Sequence, residues 1–313
     1  MLKAKTFFKW VLLPFALFAR DVPEISSWTE PTVRDFEILQ EHLQEQAERD
    51  HARFSGTVHH KRLKRVNDFS LLVDGRIPEK QLEIFNTDED DRSCLIVTYA
   101  SYNEKFIEFV ERQKRGLEYV KYKGHFLYWI GGWPFIKGGG LEVFDTPYAF
   151  KICALLEARA MGYEKVIWLD SRICPLRNLK PVFCFLDKMP IVMRTSMNQK
   201  LENFAHPWVL EAFDTSAEEL KNCVHYATGV LGVNLRDKRV NEILDKYFEL
   251  AKNREGFMNR FPCQVPWSLL LKRSSLEIKL LKPLVSFSGQ SNGRAYFKCD
   301  YHDRFDYPNS YKK

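Results

Sequence analysis

Between residues 94 and 251 the chain repeats one alternation. A short apolar run rich in β-branched residues is followed by a stretch with apolar residues at three- and four-residue steps. The runs are CLIVTYAS (94–101), HFLYWIGG (125–132), KVIWLD (165–170), PIVMRTS (190–196) and TGVLGVNL (228–235). The helical periods run from Glu104 to Leu117, from Pro147 to Met161, and through Val240, Ile243, Leu244, Tyr247, Phe248 and Ala251. Strands that are apolar on both faces must be covered on both, and the intervening helices supply that cover. The expected fold class is α/β, with a mostly parallel sheet flanked by helices.

Upstream of residue 93 the character differs. Residues 1–92 carry 14 Lys and Arg against 17 Asp and Glu, whereas residues 93–313 carry 33 against 24. A helical period from Pro31 to Phe54 places Phe36, Leu39, Leu43 and Ala47 on one face, with Thr32 as cap. HHKRLKR (59–65) is basic but has no interleaved aromatic residues to stack on bases, so no nucleic-acid partner is expected. Phe69–Val73 is a candidate strand, and the polar stretch NTDEDDR (86–92) is the candidate boundary. The division is therefore 1–92 as a helical N-terminal extension, 93–300 as the main domain and 301–313 as a C-terminal tail.

Lys3, Lys5 and Lys9 precede an apolar run from Trp10 to Ala19, broken by Pro14. The run is shorter than the ~20 residues a membrane-spanning helix needs. A secretory signal, a membrane-surface contact and a docking segment all stay open. The expected location is cytoplasmic or membrane-associated. Seven cysteines with no CxxC pair argue against a zinc ribbon and a thioredoxin-type site.

In open α/β sheets ligands gather where strands end. KVIWLD closes on Asp170, followed by Ser171 and Arg172. A carboxylate there can hold a divalent cation or a substrate hydroxyl. The helix before it starts at Asp145-Thr146-Pro147, with Thr146 as cap, and stops at Gly162. Lys151 then lies near the helix's positive end, where a cation is disfavoured by roughly 0.3–1 kcal/mol. It is either solvated or answers an anion. Gly138-Gly139-Gly140 matches no phosphate-cradling motif and reads as a loop.

The block TPYAFKICALLEARAMGYEKVIWLDSRICPLRNLKPVF (146–183) resembles the centre of the GT-A-fold nucleotide-sugar glycosyltransferases. In that family a Lys- or Arg-bearing helix leads through a Gly-Tyr turn into a strand ending in an acidic motif. TGVLGVNLRDKRVNEILDKY (228–247) resembles the acceptor-side strand and helix, and CQVPWSLLL (263–271) carries Gln264 where relatives have an Asp-Gln pair. The resemblance spans about 93–300.

It implies a Rossmann-related GT-A-like fold and transfer of a sugar, hexosyl in type, from a nucleoside-diphosphate donor such as a UDP-sugar. The acceptor would be a glycan, protein or lipid hydroxyl. Asp170 and Lys151 would act at the diphosphate, with Thr98, Tyr99, Ser101, Ser171 and Arg172 on the donor and Tyr99 stacked on the base. Thr228, Gly229, Gln264 and Trp267 would face the acceptor. The family's Asp-x-Asp motif holds Mn²⁺ or Mg²⁺, but here it is Asp170-Ser171-Arg172. Either Asp170 shares the ion with Asp300 or His302, or Arg172 or Lys151 neutralises the diphosphate without metal. Glu211, Asp214 and His225 are the nearby candidates for a catalytic base. A non-catalytic binding module and another nucleotide-using transferase are the alternatives.

Overall fold

Each apolar run becomes a strand within a few residues of where the sequence places it, in a computed structural model. It describes residues 33–54, 79–101, 104–132, 141–196, 200–259, 261–282, 284–287 and 294–299. The expectations for residues 1–20, the basic heptamer, Phe69–Val73, the triple glycine and the tail lie outside the described residues.

Helix α1 (Val33–Phe54) comes first, and its His42 ring lies 5.5 Å from that of Phe144 in the main body. Strands β1 (Glu79–Phe85) and β2 (Cys94–Ala100), helix α2 (Glu104–Tyr119) and strand β3 (Gly124–Ile130) follow. Then come α3 (Phe150–Ala160), β4 (Lys165–Leu169), the short β5 (Ile173–Pro175), α4 (Lys180–Leu186) and β6 (Ile191–Thr195). Two short helices, α5 (Pro207–Ala212) and α6 (Ala217–Lys221), lead into β7 (Tyr226–Asn234). Helices α7 (Lys238–Ala251) and α8 (Gln264–Ser274) precede three short strands, β8 (Ile278–Leu280), β9 (Val285–Phe287) and β10 (Phe297–Cys299).

The main sheet has seven strands in the order β1-β3-β2-β4-β7-β6-β8, and β5, β10 and β9 form a second sheet of three. The sheet is mostly parallel in strand direction, as expected, but it is not wholly so. β2 is parallel to β3 and β4, and β6 to β8, but β1–β3, β4–β7 and β6–β7 are antiparallel. Connectivity is the reason. After β6 the chain does not cross back over the sheet, so β7 enters from the carboxyl edge and runs against its neighbours. The fold is mixed α/β.

One correction concerns the boundary at residue 92. β1 belongs to the segment read as an extension, yet it pairs with β3 over its whole length, from Glu79↔Ile130 to Phe85↔Gly124. Residues 86–92 therefore connect two strands of one sheet. The sequence EKQLEIF hides this strand because its residues are mostly exposed, and charged side chains are what an edge strand carries.

Alternation within the central strands feeds two cores. Leu95, Val97, Leu127 and Trp168 join the cluster under α3, α7 and α8, while Ile96, Phe126, Ile167 and Leu169 join the one under α2 and α4. Leu95, Ile96 and Val97 are all fully buried, as a strand covered on both faces requires. Each such side chain contributes roughly 1.5–3 kcal/mol by leaving water. α7 supplies Val240, Ile243, Leu244, Tyr247 and Ala251 from one face, and Asp237 caps it by accepting the Arg239 N–H.

Candidate active site

The carboxyl ends of β2 and β4 open onto a pocket enclosing about 790 Å³ of non-protein space, open solvent at its mouth included. Tyr99, Phe106, Tyr148, Phe150, Trp168 and Ile173 give it apolar walls, and Ser101, Asp170, Ser171, Arg172 and Cys299 supply the polar and sulfur atoms.

Asp170 is fixed from several sides. Its N–H donates to the Gly229 carbonyl on β7 at 2.8 Å, and its own carbonyl accepts from Ile173 at 2.8 Å, closing a tight turn. Gln113 of α2, fully buried, donates to the carbonyls of Asp170 (3.1 Å) and Ile173 (2.9 Å) and so pins the same turn. The Asp170 carboxylate accepts the Lys151 ammonium at 2.6 Å and the Trp168 indole N–H at 2.8 Å, both on Oδ1. Among the described residues nothing donates to Oδ2, and the side chain is 41% exposed. Gly229 lies against that oxygen: a Cβ there would meet Asp170 Oδ2 at 3.2 Å and the Ile173 Cδ1 at 3.0 Å.

Lys151 answers an anion, as its helix position suggests, and the anion is the protein's own Asp170. The ammonium is 3% exposed, lies 5.5 Å from the Tyr148 and Trp168 rings, and reaches the Thr228 carbonyl at 3.4 Å. Burial alone lowers its pKa. The charge of Asp170, then Cys263 and the hydrogen bonds to both, outweigh that and hold it above the ordinary lysine value.

The helix start differs from expectation. Thr146 does not cap α3, because its hydroxyl donates to the Ala251 carbonyl at the end of α7, 2.7 Å away. The helix begins at Phe150, with Ala149 as N-cap, because Tyr148 takes a left-handed φ of 64°. The stop at Gly162 is as expected, with a φ of 82°.

The other expected residues divide into three groups. Ser101, Ser171 and Arg172 line the pocket. The Ser101 hydroxyl is buried there without a hydrogen-bond partner among the described residues. The Arg172 guanidinium lies over Phe106 and Phe109, 5.5 and 5.7 Å from their centroids. Tyr99 lines the wall too, but its ring stacks on Phe150 at 4.6 Å and its hydroxyl donates to the Gly132 carbonyl at 2.7 Å.

A second group is structural. Thr98 is fully buried and donates to the Leu169 carbonyl at 2.8 Å, joining β2 to β4. Thr228, also buried, contacts the Cys263 sulfur at 3.0 Å. Trp267 is corrected from acceptor contact to core: it is 1% exposed and packs 5.1 Å from the Tyr247 ring. Gln264 opens α8 away from the pocket lining. Of the candidate bases, Glu211 and Asp214 are exposed off the pocket wall, and His225 is a buried ring edge-on to Phe204 and Phe261.

Asp300 and His302 form the third group and lie outside the described residues, although Cys299, immediately before them, lines the pocket. Mn²⁺ or Mg²⁺ wants about six oxygen ligands. No cluster of three or more acidic, His or Cys side chains suits a metal among the described residues. The one carboxylate present already carries an ammonium at 2.6 Å, whose charge would repel a second cation. The described donor set does not fit a divalent ion.

Sequence reading missed Trp168, Gln113 and Tyr148. Trp168 was findable, because a residue two before Asp170 on a strand shares its face. Gln113 looks like any polar residue on an amphipathic helix, and nothing forecasts a left-handed tyrosine after Pro147.

No protein-family model and no curated protein sequence matches the chain. Among solved structures it is similar to a glycosyltransferase involved in the glycosylation of the major capsid of PBCV-1. That match has 14% identity and a TM-score of 0.42, covering 66% of this chain and 92% of the other. It is also similar to mouse xyloside xylosyltransferase 1 in its apo form, at 9% identity and a TM-score of 0.41, covering 66% and 96%. The galactosyltransferase LgtC, in complex with donor and acceptor sugar analogues, aligns at 9% identity and a TM-score of 0.39, covering 67% and 87%. At these scores the likeness carries no argument, and the functional reading rests on the pocket itself.

Proposed function

We propose that the chain is a nucleotide-sugar-dependent glycosyltransferase whose donor occupies the pocket at Asp170. The observation that carries the reading is a carboxylate that lines the pocket at the end of a central strand, held rigid through one oxygen while no described residue donates to the other. Such an oxygen is suited to accept a sugar hydroxyl. The buried Ser101 hydroxyl, which lines the same pocket, has no partner among the described residues; leaving it so costs roughly 1–3 kcal/mol, and a ligand polar group would relieve that.

In this reading Arg172 answers the diphosphate, since Lys151 is spent on Asp170 and is shielded from solvent. A guanidinium braced on two aromatic rings can bond phosphate oxygens bidentately. Its positive charge favours departure of the nucleoside diphosphate as the acceptor oxygen bonds to the sugar. The aromatic walls exclude water around the reacting bond. Donor charge is then neutralised without a divalent ion.

Incubation with a panel of UDP-, GDP-, ADP- and dTDP-sugars, with and without Mn²⁺, tests this by release of free nucleoside diphosphate. The expected result is release from one nucleotide class, unaffected by chelator and lost in Arg172→Ala. Release only with added Mn²⁺ would contradict the neutralisation by Arg172. One observation favours a second reading, a non-catalytic nucleotide-binding module: the Lys151 ammonium already compensates Asp170. Saturable binding with no release from any donor would select it.

A further inference from the structure

We infer that the basic surface at the outer edge of the three-stranded sheet binds an anionic glycan, a sugar chain with repeated carboxylate or phosphate groups. The inference deepens the nucleotide-sugar reading, in which this glycan is the acceptor, and rests on that reading for the role but not for the binding. Three observations lead to it.

The first is charge. Residues 172–195 and 279–299 together carry nine Lys and Arg against one acidic residue, Asp187. That carboxylate already accepts from Lys165 at 2.7 Å and from Arg236 at 3.2 Å. Arg177, Lys180, Lys188, Lys282 and Arg294 are exposed, and among the described residues none of them has a carboxylate partner. Lys279 and Arg177 lie against aromatic rings instead, 5.3 Å from the centroid of Phe185 and 6.0 Å from that of Tyr296. A ring braces a cation without cancelling its charge. This surface therefore keeps a positive field that attracts anions.

The second is convergence. β10 runs antiparallel to β5 and parallel to β9, so the end of β5 and the starts of β9 and β10 fall at one edge. Arg177 follows β5 by two residues, while Lys282 and Arg294 precede β9 and β10 by three. The topology gathers these cations from three stretches of chain, and the Arg177 guanidinium donates to the Arg294 carbonyl at 3.1 Å. Lys180 opens α4 just beyond. Like charges at one edge repel, and a bound polyanion relieves that.

The third is where the sheet leads. Its opposite edge is the pocket, which Arg172 and Ile173 at the start of β5 and Cys299 at the end of β10 all line. Arg177 is five residues from Arg172, hence within about 18 Å of it. A chain molecule can lie on the basic edge and still present its end at Asp170. A bilayer cannot enter a pocket, and among the described residues of these two stretches Leu280 is the one exposed large apolar side chain that could insert into it. Single-stranded nucleic acid binds by stacking its bases on aromatic faces, and here Phe185 and Tyr296 carry cations. Arginine forks suit carboxylate and phosphate oxygens alike.

The test uses the full chain and two probes, polygalacturonate and phosphomannan, read by calorimetric titration without donor. Neutral dextran, a single-stranded DNA oligonucleotide and phosphatidylserine vesicles are run beside them at equal charge where charged. The wild type should bind at least one of the two anionic glycans, more weakly as salt rises, and should not bind dextran. The triple variant Lys180→Glu, Lys282→Glu, Arg294→Glu reverses exposed charges off the pocket lining. It should unfold at the same temperature as the wild type, bind the glycan at least about tenfold more weakly and keep its affinity for nucleoside diphosphates. Failure of both glycans to bind, equal binding by the variant, or tighter binding of the DNA or the vesicles would overturn the inference. If a nucleotide sugar binds and neither glycan does, the inference falls and the nucleotide-sugar reading stands. If a glycan binds and the variant weakens it while no nucleotide sugar binds, the surface stands and that reading falls.

Discussion

Two ion pairs of nearly equal length divide the molecule into a part that is finished and a part that is not. Off the pocket lining, Arg273 of α8 grips Glu219 of α6 with two bonds of 2.8 Å each, while the Thr215 hydroxyl adds a third at 2.8 Å. Both carboxylate oxygens are spent, and Arg273 also donates to the Asp214 carbonyl at 2.8 Å. At the pocket, Lys151 and Trp168 both bond the same oxygen of Asp170, and no described residue donates to the second. The first arrangement holds helices together. In the second, rigidity and spare bonding capacity sit in one side chain, which is what a ligand site requires and a structural clamp does not.

The largest expected effects follow from which charge each substitution strands. Asp170→Asn leaves the Lys151 ammonium, 3% exposed, without its counter-ion, and should cost about 3 kcal/mol. Lys151→Met leaves Asp170, which at 41% exposure can take up water, and should cost less, about 2 kcal/mol. Denaturant unfolding measures both, and the reverse order would break the account of where the charges lie. Both variants should also lose ligand binding.

Next comes Gly229→Ala. A Cβ would press on Ile173 at 3.0 Å and Asp170 Oδ2 at 3.2 Å, costing about 1.5 kcal/mol. Titration should show a ligand affinity reduced by more than that stability loss would suggest, because the crowded oxygen is the one proposed to bind. Arg273→Gln should cost under about 1 kcal/mol, since the pair is partly solvated, and leave ligand affinity unchanged.

The smallest effect is on pH dependence. The hydrogen bonds from Arg273, partly offset by burial and then helped by Thr215, lower the Glu219 pKa from 4.5 to about 2. A depressed carboxylate stabilises the fold above its unfolded pKa, and that contribution is lost as pH falls from 4.5 towards 2. Arg273→Gln should flatten this part of the acid unfolding curve. Lys151 has the opposite sign: its raised pKa contributes stability that is full below the unfolded value of 10.5 and is lost only at higher pH.

The finished part of the molecule was the more legible. Central strands such as β2 and β4 are apolar on both faces because they are buried on both, and α7 shows its core face at helical period. The edge strand β1 was not legible, because a half-exposed strand of charged residues looks like a loop. Nor was the direction of β7, which depends on where the chain re-enters the sheet. At the site, Asp170 and Lys151 were legible separately, one from its strand end and the other from its awkward place on a helix. That each is the other's partner was not, since their meeting depends on tertiary packing across 19 residues of chain. Trp267 misled for the same reason, because a tryptophan on an apolar helix reads alike whether it faces a pocket or the core.

The claim that the unspent oxygen of Asp170 is a ligand acceptor is tested most directly by calorimetric titration of the wild type and Asp170→Asn with the nucleotide-sugar panel, at a temperature where both are folded. The account predicts that one nucleotide class binds the wild type without added metal, and that Asp170→Asn loses most of that affinity for the sugar nucleotide but less for the free nucleoside diphosphate. Equal binding of the sugar nucleotide by both proteins would contradict it.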